Sequence, residues 1–255
     1  MADHRSPIVL VAGGFLGPWI WDEVVARLTA EGHEVSAVPL PSIPADDVAE
    51  VGDLHDDVAA VHAVLDELRA PAVLCGHSYG GVVITQAAAG PHPYVARLVY
   101  LAAAAPDVGQ ALAELGPSRS GDDPAEVRSA HPADEGGVEQ VTTGGDGTRR
   151  LDPASAEASL FSDADPDATA VALSRLQRMN LAVHDQPVTA AAWREIAATY
   201  VRASDDPQPE RLAPGFLDTV AAIEELPAGH CPQLTRPDLV ADLLGRCAAA
   251  VSTPA

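Results

Sequence analysis

One serine in this sequence has the flanking residues that a nucleophile requires. Ser78 is the centre of the segment Gly76-His77-Ser78-Tyr79-Gly80, which follows a short apolar run beginning after Pro71 and precedes an apolar, alanine-rich run. The two runs predict a buried strand and then a buried helix, so the serine would lie on the tight turn between them. Glycines two positions to either side would let neighbouring backbone pass without Cβ clashes. The sequence therefore predicts Ser78 as a nucleophile.

A serine hydroxyl needs a base within hydrogen-bond reach, and the base needs a partner that fixes its tautomer. His230 lies in the loop after the last predicted strand, and Asp206 ends the strand before it. Both residues would therefore meet Ser78 at one edge of the sheet. The neighbouring Asp205 is an alternative to Asp206, which we favour because of where the turn after such strands places the acid. The predicted catalytic residues are Ser78, His230 and Asp206.

The other histidines are expected at the surface: His77 (directed away from the nucleophile by the turn), His92, His131 and His184. His55 and His62 share a predicted helix with several aspartates, but a spacing of seven residues separates them by about 10 Å along a helix. They could not share one small ion. We expect a solvated helix face there, formed by Asp53, His55, Asp56, Asp57 and His62, and no metal site.

Two backbone N–H groups are candidates for stabilising an oxyanion. Tyr79 opens the predicted helix after the nucleophile, so its N–H would point at the developing charge. The turn after the first strand, Gly13-Gly14-Phe15-Leu16-Gly17-Pro18, does not match the Gly-x-Gly-x-x-Gly dinucleotide motif, and the chain has no lysine for a phosphate loop. The N–H of Gly14 is the better candidate for the second donor. Candidates for an apolar substrate pocket are Phe15, Leu16, Trp19, Phe161, Met179 and Trp193.

The alternation of apolar strand and helix patterns predicts an α/β fold with a doubly wound, mostly parallel sheet. Six strands are expected, at 8–12, 34–40, 72–75, 97–102, 198–204 and 223–226. Helices are expected at 19–28, 46–69, 81–89, 209–222 and 237–250. Residues 105–192 lack this alternation and are too long for a plain loop, so we expect a helical lid inserted between core segments 1–104 and 193–255. Within the lid we expect a hairpin (138–143 with 148–151), helices at 153–160 and 167–181, and a mobile part at 116–137.

The composition restricts the partners and the compartment. The formal net charge is −22 over 255 residues and all 15 basic residues are arginine, which argues against nucleic acid and anionic membrane surfaces as partners. Three cysteines without paired spacing argue against a disulfide framework, and no signal segment or membrane span is evident. We expect a cytoplasmic protein, a monomer or homodimer, that needs no cofactor and takes a small-molecule substrate.

Together these residues resemble the α/β-hydrolase superfamily. The segment Gly13 to Trp21 more narrowly resembles the first-strand loop of the branch that holds plant methylesterases, hydroxynitrile lyases and uncharacterised bacterial hydrolases. The resemblance implies Ser78 as nucleophile, His230 as base, Asp206 as its orienter, and Gly14 and Tyr79 as oxyanion donors. The lyases use a threonine and a lysine where this chain has Gly13 and Cys231, which argues against cyanohydrin cleavage.

The expected activity is hydrolysis of a small, mostly apolar carboxylic ester or lactone through an acyl-enzyme. Two alternatives stay open. The same fold supports cofactor-free lyases and C–C hydrolases, and it supports ligand-binding proteins that keep the triad without turnover.

Overall fold

The computed structural model describes residues 5–46, 48–90, 92–116, 141–143 (backbone) and 147–252. Its strands are β1 (Ile8–Val11), β2 (Val35–Val38), β3 (Ala72–His77), β4 (Val95–Leu101), β5 (Val141–Thr143), β6 (Arg149–Leu151), β7 (Ala198–Ala203) and β8 (Ala222–Leu226). Six of them form one sheet in the order β2-β1-β3-β4-β7-β8, and every neighbouring pair is parallel. The predicted parallel sheet is confirmed.

The central strands are apolar on both faces because helices cover both sides of the sheet. All four residues of β1 and all six of β3 are buried, as expected for strands of a doubly covered parallel sheet. The helices are α1 (Asp22–Ala30), α2 (Leu54–Leu68), α3 (Gly80–Ala87), α4 (Pro153–Ser159), α5 (Pro166–Ser174), α6 (Phe216–Thr219), α7 (Pro232–Thr235) and α8 (Pro237–Ser252). Helix α1 packs against α8, and α2 packs against α3.

The strand order reverses between β1 and β3, so the connections that leave these two strands run to opposite sides of the sheet. Loops that leave the carboxyl ends of strands at such a point have room between them for a ligand. The turn after β1 carries Gly14 and the turn after β3 carries Ser78. The topology therefore brings the predicted nucleophile and the predicted oxyanion turn to the same place.

Three predicted helices have different bounds. The helix expected at 46–69 begins at Leu54, because the Asp53 side chain caps it and forms a reciprocal capping box with Asp56. The helix expected at 209–222 is reduced to α6, since the chain before it runs extended and forms a bridge between Ala105 and Leu212. The helix expected at 167–181 ends at Ser174.

The chain between β4 and β7, called the insertion below, carries the hairpin of β5 and β6 together with α4 and α5. The predicted hairpin is confirmed, with Val141–Thr143 antiparallel to Arg149–Leu151. Met179 adds to it through an isolated bridge to Arg149, which explains why no helix continues there. Residues 117–137 of the expected mobile part, which include His131, lie outside the described residues, as do residues 138–140 of the predicted hairpin. The division of the chain at 104 and 192 stays a prediction.

The three cysteines, Cys75, Cys231 and Cys247, are free thiols and all are buried. Among the helices of the described residues, none is both long enough and apolar enough to cross a membrane.

Candidate active site

Ser78 occupies a strained turn between β3 and α3. Its φ is 50°, in the left-handed region that a residue with a Cβ rarely adopts. The turn is held by main-chain hydrogen bonds: the N–H of Ser78 donates to Leu101 O at 3.3 Å, and Ser78 O accepts from Gly81 N at 3.0 Å and from Ala104 N at 3.1 Å. The strain lifts a half-buried serine side chain above the carboxyl edge of the sheet.

Glycines surround this turn because backbone passes through the space that a side chain would fill. A Cβ on Gly76 would lie 2.4 Å from Gly80 O, and one on Gly80 would lie 2.6 Å from Val11 O. Gly81 is more restricted still, since its Cβ would lie 2.1 Å from Ala104 O. The turn therefore needs three glycines, one more than the sequence motif contains.

The predicted base and acid are in contact. The Nδ1–H of His230 donates to Asp206 Oδ2 at 2.8 Å, and the other carboxylate oxygen of Asp206 accepts from Gln208 N, also at 2.8 Å. The alternative acid, Asp205, is exposed and uses its backbone N–H on Ala228 O. The proton on Nδ1 leaves a lone pair on the Nε2 of His230, which is the tautomer that a general base requires.

The remaining contact of the predicted triad, between Ser78 and His230, is not a hydrogen bond in this structure. His230 is 3% exposed, and its Nε2 is buried with no hydrogen-bond partner in the described part of the chain. Catalytic hydrogen bonds are often long before substrate binds and tighten in the complex. A buried, unpaired Nε2 is therefore available to accept a proton.

His77 packs under His230, and the prediction that it lies at the surface is wrong. The side chain is completely buried, and its Nε2–H donates to the backbone oxygen of His230 at 2.8 Å. Burial, helped by the nearby His230, lowers the pKa of His77 to about 3, so the ring is neutral. The ring also explains Gly13, where a Cβ would lie 2.9 Å from His77 Nδ1 and 2.8 Å from Ser78 Cβ.

The two predicted oxyanion donors lie on the turns that follow β1 and β3. Phe15, directly after Gly14, has a φ of 62°, and Leu16 N donates to Gly13 O at 3.2 Å, so the first turn is tight. Tyr79 is the N-cap residue of α3, where backbone N–H groups point away from the helix. The convergence of the N–H groups of Gly14 and Tyr79 on one oxygen stays a prediction.

The six predicted pocket residues lie in different surroundings. Met179 lies against the turn of Gly14, since a Cβ on Gly14 would be 3.0 Å from its Sδ. Trp193 instead packs edge-on against Phe216, 5.2 Å between ring centroids, and donates its Nε1–H to Pro106 O. Trp19 is half-buried under the Arg175 guanidinium. The other three predicted pocket residues are buried in the core: Phe15, Leu16 and Phe161.

An acid that no sequence pattern singles out holds the loop of His230. Asp163, at the surface of the insertion, accepts from Gly229 N at 2.7 Å and from Thr235 Oγ1 at 2.8 Å. Gly229 directly precedes His230 and Thr235 ends α7 five residues after it, so Asp163 holds the chain on both sides of His230. Asp163 is one of two aspartates between α4 and α5, and nothing in the sequence there distinguishes it from Asp165.

The aspartate-rich start of α2 has only part of the solvated face that we predicted, since His55 and Asp56 are exposed but Asp57 and His62 are not. His55 is exposed, but His62 is half-buried, donates from Nε2 to Ala87 O at 2.7 Å and stacks on His92. Asp57 is completely buried. Among the described residues, no three His, Cys, Asp or Glu side chains are grouped so that they could hold a metal ion.

Residues 8–243 match the model of the alpha/beta hydrolase family, and the chain belongs to this family. It is 30% identical over 263 residues to "Alpha/beta hydrolase nvfD" of Aspergillus novofumigatus, which covers 96% of this chain and 97% of that protein. It is also 39% identical over 118 residues to "Esterase PIR7B" of rice (Oryza sativa subsp. japonica), covering 43% of this chain and 42% of the relative.

A solved structure gives the same fold. The crystal structure of a pyrethroid hydrolase from Sphingobium faniae superposes with a TM-score of 0.76 at 22% identity, over 96% of this chain and 98% of that one. The predicted superfamily, its resemblance to plant esterases, and the predicted fold are confirmed. The chain is an enzyme, an α/β hydrolase related to esterases.

Proposed function

We propose that this hydrolase is a serine esterase that cleaves a small, mostly apolar carboxylic ester or lactone through Ser78, His230 and Asp206. The observation that carries the proposal is the 2.8 Å contact between His230 Nδ1 and Asp206 Oδ2, at the sheet edge where Ser78 is held in the left-handed region. A base oriented by an acid, beside a strained serine, is the arrangement that nucleophilic catalysis requires.

The proposed reaction has two halves. Ser78 Oγ attacks the carbonyl carbon while His230 Nε2 takes the hydroxyl proton, and the resulting oxyanion accepts hydrogen bonds from the N–H groups of Gly14 and Tyr79. His230 then returns the proton to the leaving alcohol. Water attacks the acyl-enzyme with the same residues in the same roles, and Ser78 is regenerated. Asp206 stays ionised and stabilises the imidazolium.

Two observations support an apolar acyl group. Met179, which has no exposed surface, lies against the oxyanion turn, and Phe15 and Leu16 of that turn are buried apolar residues. The excess of acid, a net charge of −22, disfavours anionic substrates.

The three free, buried cysteines are compatible with a reducing compartment, and we propose that the enzyme acts in the cytoplasm.

The test is labelling with a fluorophosphonate probe, followed by mass mapping of the labelled peptide and a screen of short p-nitrophenyl esters. Because the nucleophile is one hydroxyl, Ser78→Ala should abolish labelling and reduce ester turnover by about 10⁶-fold. Ser204→Ala is the matched control, since Ser204 is exposed at the end of β7 and should be dispensable.

Labelling of a folded Ser78→Ala protein at the wild-type rate, or no labelling of the wild type, would overturn the proposed mechanism. Product from a carbon–carbon substrate with none from esters would favour the lyase alternative. Thermal stabilisation by ligands without any turnover would favour the binding protein.

A further inference from the structure

Asp57 is a carboxylate buried in the interior without a role in the proposed reaction. It lies in the first turn of α2 and is 0% exposed. Its Oδ1 accepts from Ser42 N at 2.8 Å, and its Oδ2 accepts from Ser42 Oγ at 2.6 Å and from Tyr79 OH at 2.7 Å. Burial raises the pKa of Asp57, and these hydrogen bonds oppose the rise. Because a buried carboxylate costs free energy, its hydrogen-bond partners indicate what the group stabilises.

One partner of Asp57 is the residue after the nucleophile. Tyr79 supplies a proposed oxyanion donor through its backbone, while its side chain is 2% exposed and ends on Asp57. The backbone of Tyr79 is thereby held from two directions, by the start of α3 and by the anchored ring. The ring also faces His184 of the insertion, 6.1 Å between centroids.

The other partner connects Asp57 to the second proposed donor. Ser42 O accepts from Asn180 N at 2.9 Å. The preceding residue, Met179, lies against Gly14. The same segment also holds the residue after Gly14, because Phe15 O accepts from Gln177 N at 2.8 Å. A chain of contacts therefore runs from Tyr79 through Asp57 and Ser42 to the segment 177–180 that covers the turn of Gly14.

We propose that Asp57 is a positioning residue for the oxyanion hole. It anchors Tyr79 directly and, through Ser42, it anchors the segment of the insertion that packs on Gly14. The inference rests on the proposed function of Ser78, Gly14 and Tyr79. It assigns Asp57 no contact with substrate. Its effect is on the placement of two backbone N–H groups, where a shift of an ångström weakens the stabilisation of the transition state.

The test compares Asp57→Asn and Tyr79→Phe with the wild type in ester hydrolysis and in binding of a trifluoromethyl ketone, which mimics the tetrahedral intermediate. Both variants should lose about tenfold in kcat, less than the 10²–10³-fold of deleting a donor outright, with KM within about twofold. Affinity for the ketone should fall in parallel with kcat/KM. Because both changes break the same contact, the double variant should lose much less than the product of the two.

Tyr100→Phe is the matched control. Tyr100 is as buried as Asp57, and its hydroxyl bonds Thr85 Oγ1 at 2.8 Å in the second turn of α3, not Tyr79. This variant should be destabilised like the others and should keep the kcat and ketone affinity of the wild type. A folded Asp57→Asn enzyme with wild-type kcat and ketone affinity would contradict the inference, as would an equal loss in Tyr100→Phe.

Hydrogen exchange provides a readout that does not depend on turnover. Peptides covering Gly14 and Tyr79 should exchange faster in Asp57→Asn than in the wild type, and should be unchanged in Tyr100→Phe. If the wild type neither labels nor hydrolyses esters, the proposed function fails. The exchange rates then still decide whether Asp57 positions these turns, and unchanged rates reject that role.

Discussion

His230 and Asp206 lie on the loops after two adjacent strands, β8 and β7, and a single hydrogen bond joins them directly. Gly14 and Tyr79 lie on the turns after β1 and β3, which are also adjacent, and the proposed donors are main-chain groups. Contacts of Asp57 with Tyr79 and Ser42, and of Ser42 with the segment 177–180, connect the two turns. We call the first pair the relay side of the site and the second the oxyanion side.

The two sides should therefore fail in different ways. The relay side depends on one tautomer of one ring, so the loss of Asp206 removes the base altogether. On the oxyanion side the proposed donors are backbone N–H groups, which substitutions other than proline can displace but cannot delete. We expect losses on the relay side to be large and losses on the oxyanion side to be graded. The changes below test the relay side, from the largest effect to the smallest.

Asp206→Asn should have the largest effect. The amide would favour the wrong tautomer of His230, and kcat should fall by about 10³–10⁴-fold with the fold intact. Asp205→Asn is the control, because Asp205 is the neighbouring acid and its side chain is exposed. Steady-state kinetics on a p-nitrophenyl ester measures both. An equal loss in the two variants would show that charge at this edge, and not the contact with His230, is what matters.

Asp163→Ala should have an intermediate effect. It removes the acceptor that holds Gly229, directly before His230, so we expect kcat to fall about tenfold, since misplacing a catalytic group by an ångström can cost up to 10²-fold. Asp165→Ala is the control, because Asp165 caps α5 and its removal should cost about 1 kcal/mol of stability without lowering kcat. If both variants lose the same activity, the loss reflects general destabilisation of the insertion.

His77→Gln should change the pH dependence of stability. Since burial lowers the pKa of His77 to about 3 in the folded protein, against about 6.5 when unfolded, only the unfolded chain binds the proton between these values. The free energy of unfolding should therefore decrease as the pH falls below about 6.5, by up to about 1.4 kcal/mol per pH unit from this residue. Denaturant titrations at several pH values between 4 and 6 should show that the free energy of unfolding changes less per pH unit in the variant than in the wild type. Equal slopes would mean that His77 is not held neutral.

The sheet and the nucleophile turn could be predicted from the sequence because each depends on neighbouring residues. Most of the six strands are short apolar runs, and the turn at Ser78 is a local motif. Asp206 could be preferred to Asp205 because the end of β7 determines which of the two faces His230.

The supporting residues could not be predicted, because their partners are distant in the chain. Asp57 contacts Tyr79, 22 residues away, and Asp163 contacts Gly229, 66 residues away. Both lie among other aspartates at helix starts and in surface loops, where acidic residues are common and do not indicate a supporting role. His77 was misassigned because only the packing of the sheet edge shows that its ring lies under His230.

The attachments of the insertion to the rest of the enzyme have a consequence for protein engineering. Four polar side chains of the insertion bond to main-chain atoms outside it: Asp163 to Gly229 N, Arg178 to Val48 O, Asn180 to Gly52 O and Gln186 to Leu54 N. A main-chain partner is present whatever residue occupies the position, except that proline has no N–H. An insertion from another α/β hydrolase could thus be transplanted onto this sheet, provided that the incoming segment carries an acid, a guanidinium and two amides at these four places.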